Sequence, residues 1–94
     1  MKIAGIRHKG LRRFLESGDT SGLLAGRERR IMNVFSAVRA AKNLQALRTF
    51  PGLRLHPLKG ERKGQWSVTI TGNWRLTFRE KDGTIFEVDM EDYH

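Results

Sequence analysis

The sequence predicts an α+β domain in which helices pack on one face of an antiparallel β-sheet. Up to about residue 50, apolar residues recur every three or four positions, which is the spacing of amphipathic helices. Beyond that point they recur at alternate positions, as in half-buried strands, and the turn sequences Gly72-Asn73 and Asp82-Gly83 divide the strand-like segments into a meander. A chain of 94 residues is expected to form one domain, 1–94, with one modest core.

The first half is predicted to be mainly helical. Residues 9–18 form an amphipathic stretch that ends at Gly18, a residue suited to the left-handed stop after the last turn of a helix. A longer helix is predicted over 23–41, and a short third helix, 44–47, follows a potential Asn43 cap. The longer helix has an apolar stripe at helical spacing: Ile31, Val34, Phe35 and Val38.

Strands are predicted at both ends of the chain. Residues 3–7 are assigned to a short first strand, and the stretch LRLHPL alternates apolar and polar residues until Pro57. Three longer strands, QWSVTIT, WRLTFRE and TIFEVDM, follow. Their alternation assigns nine residues to the core face: Trp66, Val68, Ile70, Trp74, Leu76, Phe78, Phe86, Val88 and Met90. This parity favours core packing of both tryptophans over a role as stacking platforms for bases.

Composition excludes several classes of function. The chain has no cysteine, so disulfides, cysteine-based zinc sites and thiol catalysis are ruled out. No apolar run approaches the roughly 20 residues that a transmembrane helix needs. The opening stretch, MKIAGIRHKG, lacks the apolar core of a secretory signal. We therefore expect a cytoplasmic protein without a membrane association.

The net charge of +8 is unevenly distributed. Residues 1–64 carry 15 basic and 4 acidic groups, whereas residues 65–94 carry 3 basic and 6 acidic groups. A cationic body attracts polyanions, of which nucleic acid is the commonest, although surface charge also serves solubility alone. Arg75 and Arg79 point to the polar side of the predicted sheet among small hydroxyl side chains. That side is either an ordinary solvated face or a phosphate-binding surface.

Four features could carry chemistry: His56 and Lys59 of HPLKG, Arg75 of GNWR, and the closing residues Asp92, Tyr93 and His94. A histidine beside a carboxylate can transfer protons near neutral pH, while lysine and arginine can neutralise a phosphoryl group in its transition state. No Asp, Glu or His cluster has persuasive metal-ligand spacing. The chemistry that fits is metal-free cleavage of RNA by its own 2′-hydroxyl, which DNA lacks.

Each of these residues also has a purely structural interpretation. His56 precedes a proline and would then only end a strand, and Lys59 would be an ordinary surface residue of a basic loop. Asp92 and His94 would belong to a frayed acidic tail. Continued strand parity would turn Asp92 toward the apolar side, where an unpaired carboxylate cannot be buried. We therefore expect the last strand to end or twist outward near Glu91.

The stretches HKGLRRFLESG, PGLRLHPLKG, GQWSVTITGNWRLTFRE and the closing DYH resemble the HigB-type toxins of the RelE/ParE superfamily. The resemblance covers almost the whole chain and is strongest from Pro51 onward. It implies a curved, mainly antiparallel sheet with helices on one face. It also implies a ribosome-dependent endoribonuclease that cuts mRNA, has ribosomal RNA as a second contact, and is inhibited by a cognate HigA-like helix-turn-helix antitoxin.

The resemblance also implies roles for individual residues. Five are candidate catalytic residues: Lys59, Arg75, Asp92, Tyr93 and His94. His94 is the best candidate for proton transfer, and Tyr93 would stack on or orient the nucleotide. His56 corresponds to a less critical neighbour of the lysine. Independently of the resemblance, the basic loop and the polar side of the sheet add Arg62, Lys63 and Arg79, so that the candidate RNA-binding residues are His56, Arg62, Lys63 and Arg79. No metal and no small-molecule cofactor is implied.

Two alternative functions remain open. A ParE-like toxin that inhibits DNA gyrase would share the fold, but it would need no RNA-cleaving groups. A non-catalytic module that binds the ribosome or nucleic acid would depend on charge and not on His94.

Overall fold

A computed structural model describes residues 1–23 and 25–92. It confirms the α+β prediction. Within these residues the elements are β1 (Lys2–Ile3), α1 (Lys9–Ser17), α2 (Glu28–Ala40), α3 (Leu44–Leu47), β2 (His56–Pro57), a 3-10 turn (Gly60–Arg62), β3 (Trp66–Thr71), β4 (Trp74–Lys81) and β5 (Thr84–Asp92). The strands form one sheet in the order β1-β5-β4-β3-β2, in which β1 runs parallel to β5 and the other neighbours are antiparallel.

Helices α1 and α3 are capped by polar side chains at their N-termini. The ring nitrogen Nδ1 of His8 accepts a hydrogen bond from the Leu11 N–H at 3.1 Å and caps α1. Gly18, with a φ of 77°, donates its N–H to the Phe14 carbonyl and ends this helix as predicted. At α3, the side-chain oxygen of Asn43 accepts from the Ala46 N–H at 2.8 Å. Local side-chain caps therefore define α1 and α3.

Helix α2 is shorter at its N-terminal end than the predicted 23–41. It begins at Glu28, because Gly26 adopts a left-handed φ of 82° that a helix cannot continue through. The apolar stripe is correct, since Ile31, Val34, Phe35 and Val38 are all buried. None of the described helices is long and apolar enough to span a membrane.

Two predicted strands are shorter than expected. In residues 3–7, only Ile3 belongs to β1, and pairing with β5 resumes at an isolated Ile6–Val88 bridge. In LRLHPL, only His56 and Pro57 pair with β3, because Arg54 has a φ of 51° that interrupts an extended strand. Leu53 and Leu55 are nevertheless buried, so the hydrophobic pattern identified core residues outside a strand.

The predicted inward position of Phe86 is wrong. Thr77 pairs with Asp89 and Arg79 pairs with Phe86, so β5 contains one extra residue over this stretch. The extra residue forms a bulge at which Glu87 has a φ of 50°. The bulge reverses the parity, which places Ile85 in the core and leaves Phe86 only partly buried, whereas the other inward assignments hold.

Arg30 connects α2 to an irregular part of the sheet. Its Nε donates to the Ile70 carbonyl at 2.7 Å, and its Nη2 donates to the carbonyls of Gly52 and Thr69 at 3.0 and 3.2 Å. The pairing of β3 with β4 shifts register between Thr69 and Thr71. One guanidinium therefore satisfies carbonyl groups near this shift and holds the helix over the sheet.

Candidate active site on the polar face of the sheet

Two rows of polar side chains cross the sheet on the face opposite α2. Side chains of directly paired residues in antiparallel strands lie on the same face, about 5 Å apart. The register defines a first row of Thr69, Arg75 and Glu91, and a second row of His56, Ser67, Thr77 and Asp89. We call this surface the polar face. It contains three of the predicted site residues: His56 on β2, and Arg75 and Arg79 on β4, where Arg79 has the same parity as Arg75 and Thr77.

The segment 59–65, called here the basic loop, folds over this face. Arg62 donates from Nη1 to Oε1 of Glu91 at 2.9 Å and from Nη2 to Oε2 at 2.5 Å. Its Nε donates to the side-chain oxygen of Gln65 at 2.7 Å. Gly64 has a φ of 99° and lies so close to Arg79 that a Cβ there would be 2.6 Å from Nη1 of Arg79. The loop and the strands therefore enclose part of the polar face.

Because the loop covers it, the polar face is not uniformly solvated. Ser67 and Thr77, which alternation assigns to the polar side, have exposed fractions of only 0% and 2%. The Thr77 hydroxyl donates to Oε2 of Glu91 at 2.7 Å. The Ser67 hydroxyl has no hydrogen-bond partner among the described residues. The face thus contains a small enclosed polar interior beside its partly buried arginines.

Glu91 is the residue that sequence reasoning missed. It accepts hydrogen bonds from both Arg62 and Thr77. The hydrogen bonds from Arg62 lower the pKa of Glu91 below its ordinary value, against the opposing effect of partial burial. Its contribution to stability is therefore present above the ordinary glutamate pKa and is lost as the pH falls through the lowered value. The alternation of β5 already placed Glu91 on the face of Arg75, but its contact with the loop had no sequence signal.

The two sheet arginines have different surroundings. Arg75 is partly buried, and its Nη1 donates to Oγ1 of Thr69 at 2.6 Å. Arg79 forms an ion pair with Glu87, with an Nε–Oε2 distance of 3.0 Å, beside Gly64 of the basic loop. Arg75 thus donates to a neutral hydroxyl and forms no ion pair among the described residues, which suits a group that binds an anion.

Lys59 and Lys63 lie on the basic loop and are both exposed. They line an open pocket of about 380 Å³, with Leu58 and Trp66 among the apolar residues of its wall. His56 is exposed on β2, the edge strand that precedes the loop, and its Nδ1 lies 3.2 Å from the carbonyl oxygen of Arg54. Both lysines therefore belong to the loop whose Arg62 contacts the polar face, and the pocket that they line also includes Trp66 of the core side.

The structure describes only part of the predicted closing trio. Strand β5 continues to Asp92, which pairs with Trp74 and is exposed at the end of the sheet. The strand thus runs one residue past Glu91 without burying the carboxylate. Tyr93 and His94 lie outside the described residues, so their assigned roles stay predictions. Within residues 1–23 and 25–92, no three His, Asp or Glu side chains converge as metal ligands do.

The two buried hydroxyls give a matched test of this geometry. Thr77→Val removes a hydrogen bond to a charged carboxylate, so we expect the free energy of unfolding to fall by about 1.5–3 kcal/mol. Ser67→Ala removes a buried hydroxyl without a described partner, so we expect a change between zero and a gain of about 1 kcal/mol. Urea unfolding of both variants measures the difference. Equal losses in the two variants would contradict the assigned bonding.

The fold is similar to that of two solved small toxins. Over its whole length the chain is similar to the YoeB/ParE toxin from Agrobacterium tumefaciens, with a TM-score of 0.54, 21% identity and coverage of 99% of that chain. It is also similar to YafQ from E. coli, with a TM-score of 0.51, 16% identity and coverage of 97% of this chain and 89% of the other. At these identities the likeness concerns the fold.

Sequence comparison identifies the family. Residues 4–94 match the model of the RelE-like toxin of the type II toxin–antitoxin system HigB. The chain is 40% identical over 92 residues to the Endoribonuclease HigB of Proteus vulgaris, and the match covers 98% of this chain and 99% of that protein. The chain therefore belongs to the HigB family of RelE-like toxins, and the predicted family is confirmed.

Proposed function

We propose that this chain is an endoribonuclease toxin that cuts mRNA in the decoding site of the ribosome. The observation that carries the proposal is the 40% identity, over nearly the full length of both chains, to a protein named as an endoribonuclease. The positions of Arg75 on the polar face and of Lys59 on the adjacent loop support it, because both are cations of the kind that stabilise a phosphoryl transition state.

The proposed reaction is a transesterification. The 2′-hydroxyl of the nucleotide before the cut attacks the adjacent phosphorus and loses its proton to a base. The bond from phosphorus to the 5′-oxygen breaks, and an acid protonates that oxygen. The products are a 2′,3′-cyclic phosphate and a 5′-hydroxyl. In-line geometry is required, and we propose that the ribosome supplies it by holding the mRNA.

We propose the following division of roles. Arg75 and Lys59 neutralise the charge that develops on the phosphate. Asp92 and His94 carry the proton transfers, and Tyr93 stacks on or orients the nucleotide. His56, Lys63 and Arg79 contact RNA, as does Arg62 of the basic loop. Arg75, Arg79 and His56 lie on the polar face, with the basic loop beside it. Asp92 pairs with Trp74, so its side chain starts from the core side at the exposed end of β5 and would have to extend around that end to share a phosphate with Arg75.

Membership in a type II toxin family implies an antitoxin partner. We propose that this partner is a helix-turn-helix protein of the HigA kind and that the toxin acts in the cytoplasm, where its ribosome and mRNA targets are found. The basic body of the chain, with a net charge of +11 over residues 1–64, supports a polyanionic target.

Mapping of new 5′ ends tests the proposal. We expect the purified chain to cut an mRNA held in the ribosomal decoding site and to leave the same mRNA intact without ribosomes. A site with so few catalytic groups depends on the ribosome to position the mRNA for in-line attack. Intact mRNA on ribosomes, together with inhibited DNA gyrase in a supercoiling assay, would support the ParE-like alternative. Ribosome binding without cleavage would support a non-catalytic module.

A further inference from the structure

We infer that Glu91 is a positioning residue that holds the basic loop on the polar face. Its pairing with Arg62 also keeps the Glu91 carboxylate from pairing with Arg75. The inference rests on the proposed function. It assigns a role to a residue that touches neither the proposed phosphate nor the proposed proton-transfer groups. The role has two parts, which concern the position of the loop and the charge around Arg75.

The first part is a mechanical connection. Glu91 bonds to Arg62 of the loop through both carboxylate oxygens and to Thr77 of the neighbouring strand. Arg62 in turn bonds to Gln65 within the loop. A bidentate pair of this kind fixes orientation as well as distance. Lys59, three residues before Arg62, therefore lies on a loop whose position over the sheet is set by Glu91.

The second part is electrostatic. Arg75 and Glu91 are directly paired across β4 and β5, so their side chains start about 5 Å apart on one face. Arg75 nevertheless donates to Thr69 on its other side, and within the described residues it forms no ion pair. Both carboxylate oxygens of Glu91 are occupied by Arg62. Arg62 thus occupies a carboxylate that would otherwise compete with the phosphate for Arg75.

This arrangement predicts an unusual order of activities. Glu91→Gln loses the charged bidentate pair and loosens the loop, so we expect single-turnover cleavage at saturating ribosomes to slow about tenfold. Arg62→Ala also frees the carboxylate to pair with Arg75, so we expect a loss of about a hundredfold. The double variant Arg62→Ala with Glu91→Gln has no carboxylate to capture Arg75. We expect its rate to return to the level of Glu91→Gln.

Glu61→Gln is the matched control. Glu61 lies on the same loop, is exposed, and has the same charge, but it takes no part in the Arg62–Glu91–Thr77 contacts. We expect its cleavage rate to equal that of the unchanged chain. Circular dichroism and thermal unfolding of all four variants verify folding. Hydrogen exchange of the amides of residues 60–65 gives a readout independent of activity, and it should be faster in Glu91→Gln than in Glu61→Gln.

The outcomes separate this inference from the proposed function. If the unchanged chain leaves ribosome-bound mRNA intact, the proposed function is wrong. If the unchanged chain cuts and Glu91→Gln cuts equally fast, the inference alone is wrong. It is also overturned if the double variant is as slow as Arg62→Ala, because Arg62 would then act only through its own contacts with RNA.

Discussion

Arg75→Ala is expected to lower the single-turnover rate of mRNA cleavage on ribosomes by about 10²–10³-fold, the usual cost of removing one group that stabilises a transition-state anion. The guanidinium lies on the polar face, donates to the neutral Thr69 hydroxyl and forms no ion pair among the described residues. The Arg75 charge is therefore available to bind a phosphate.

His94→Ala is expected to lower the same single-turnover cleavage rate by about 10²–10⁴-fold, because His94 is proposed to transfer a proton in the reaction.

The matched control for Arg75→Ala is Arg29→Ala. Arg29 is an exposed arginine on α2, so its removal changes the net charge equally but leaves the polar face intact. We expect its cleavage rate to stay within about twofold of the unchanged chain at saturating ribosomes, because only a bulk electrostatic contribution is lost. Equal losses for Arg29→Ala and Arg75→Ala would mean that charge alone matters. That result would contradict a specific role of Arg75 at the scissile phosphate.

Gly10→Ala is expected to lower the free energy of unfolding by about 3 kcal/mol or more, even though alanine is the better helix former by up to about 1 kcal/mol. Gly10 is buried in the first turn of α1 against the backbone of Gly22. A Cβ at Gly10 would lie 2.2 Å from the carbonyl oxygen and 2.7 Å from the carbonyl carbon of Gly22. No side-chain rotation relieves contact between two backbones, so packing outweighs propensity.

The control for this effect is Gly5→Ala. A Cβ there would meet the Glu87 nitrogen at 3.7 Å, which is ordinary contact, and Gly5 is exposed. We expect its free energy of unfolding to change by no more than about 0.5 kcal/mol. Thermal unfolding should show Gly10→Ala melting about 12 °C or more below the unchanged chain. A Gly10→Ala variant as stable as Gly5→Ala would contradict the close approach of the two backbones.

Local patterns predicted most of the fold because they act over a few residues. The α2 stripe and the alternation of β3 and β4 depend only on side-chain periodicity, and both are confirmed by burial. The bulge at Glu87 could not be predicted, since its positive φ is imposed by pairing with two neighbouring strands. The predicted start of α2 was wrong for a related reason, because helical periodicity does not reveal the left-handed conformation of Gly26.

The candidate site was predictable in its residue types but not in its internal contacts. Alternation placed Arg75 on the polar face, and the basic loop was evident from its composition. The pairing of Arg62 with Glu91 joins residues 29 positions apart and depends on how the loop folds over the sheet. A contact between residues so far apart produces no local sequence pattern from which it could be predicted. The same contact explains why Thr77, a residue of the polar face, is buried.

The most direct test of the central claim uses an mRNA with a single 2′-deoxynucleotide at the position before the mapped cut. The substrate is held in the ribosomal decoding site and compared with the all-ribose mRNA. Because the proposed attack comes from that hydroxyl, we predict that the deoxy substrate stays intact while the ribose substrate is cut to a 2′,3′-cyclic phosphate and a 5′-hydroxyl. Cleavage of both substrates at the same position and rate would contradict the account.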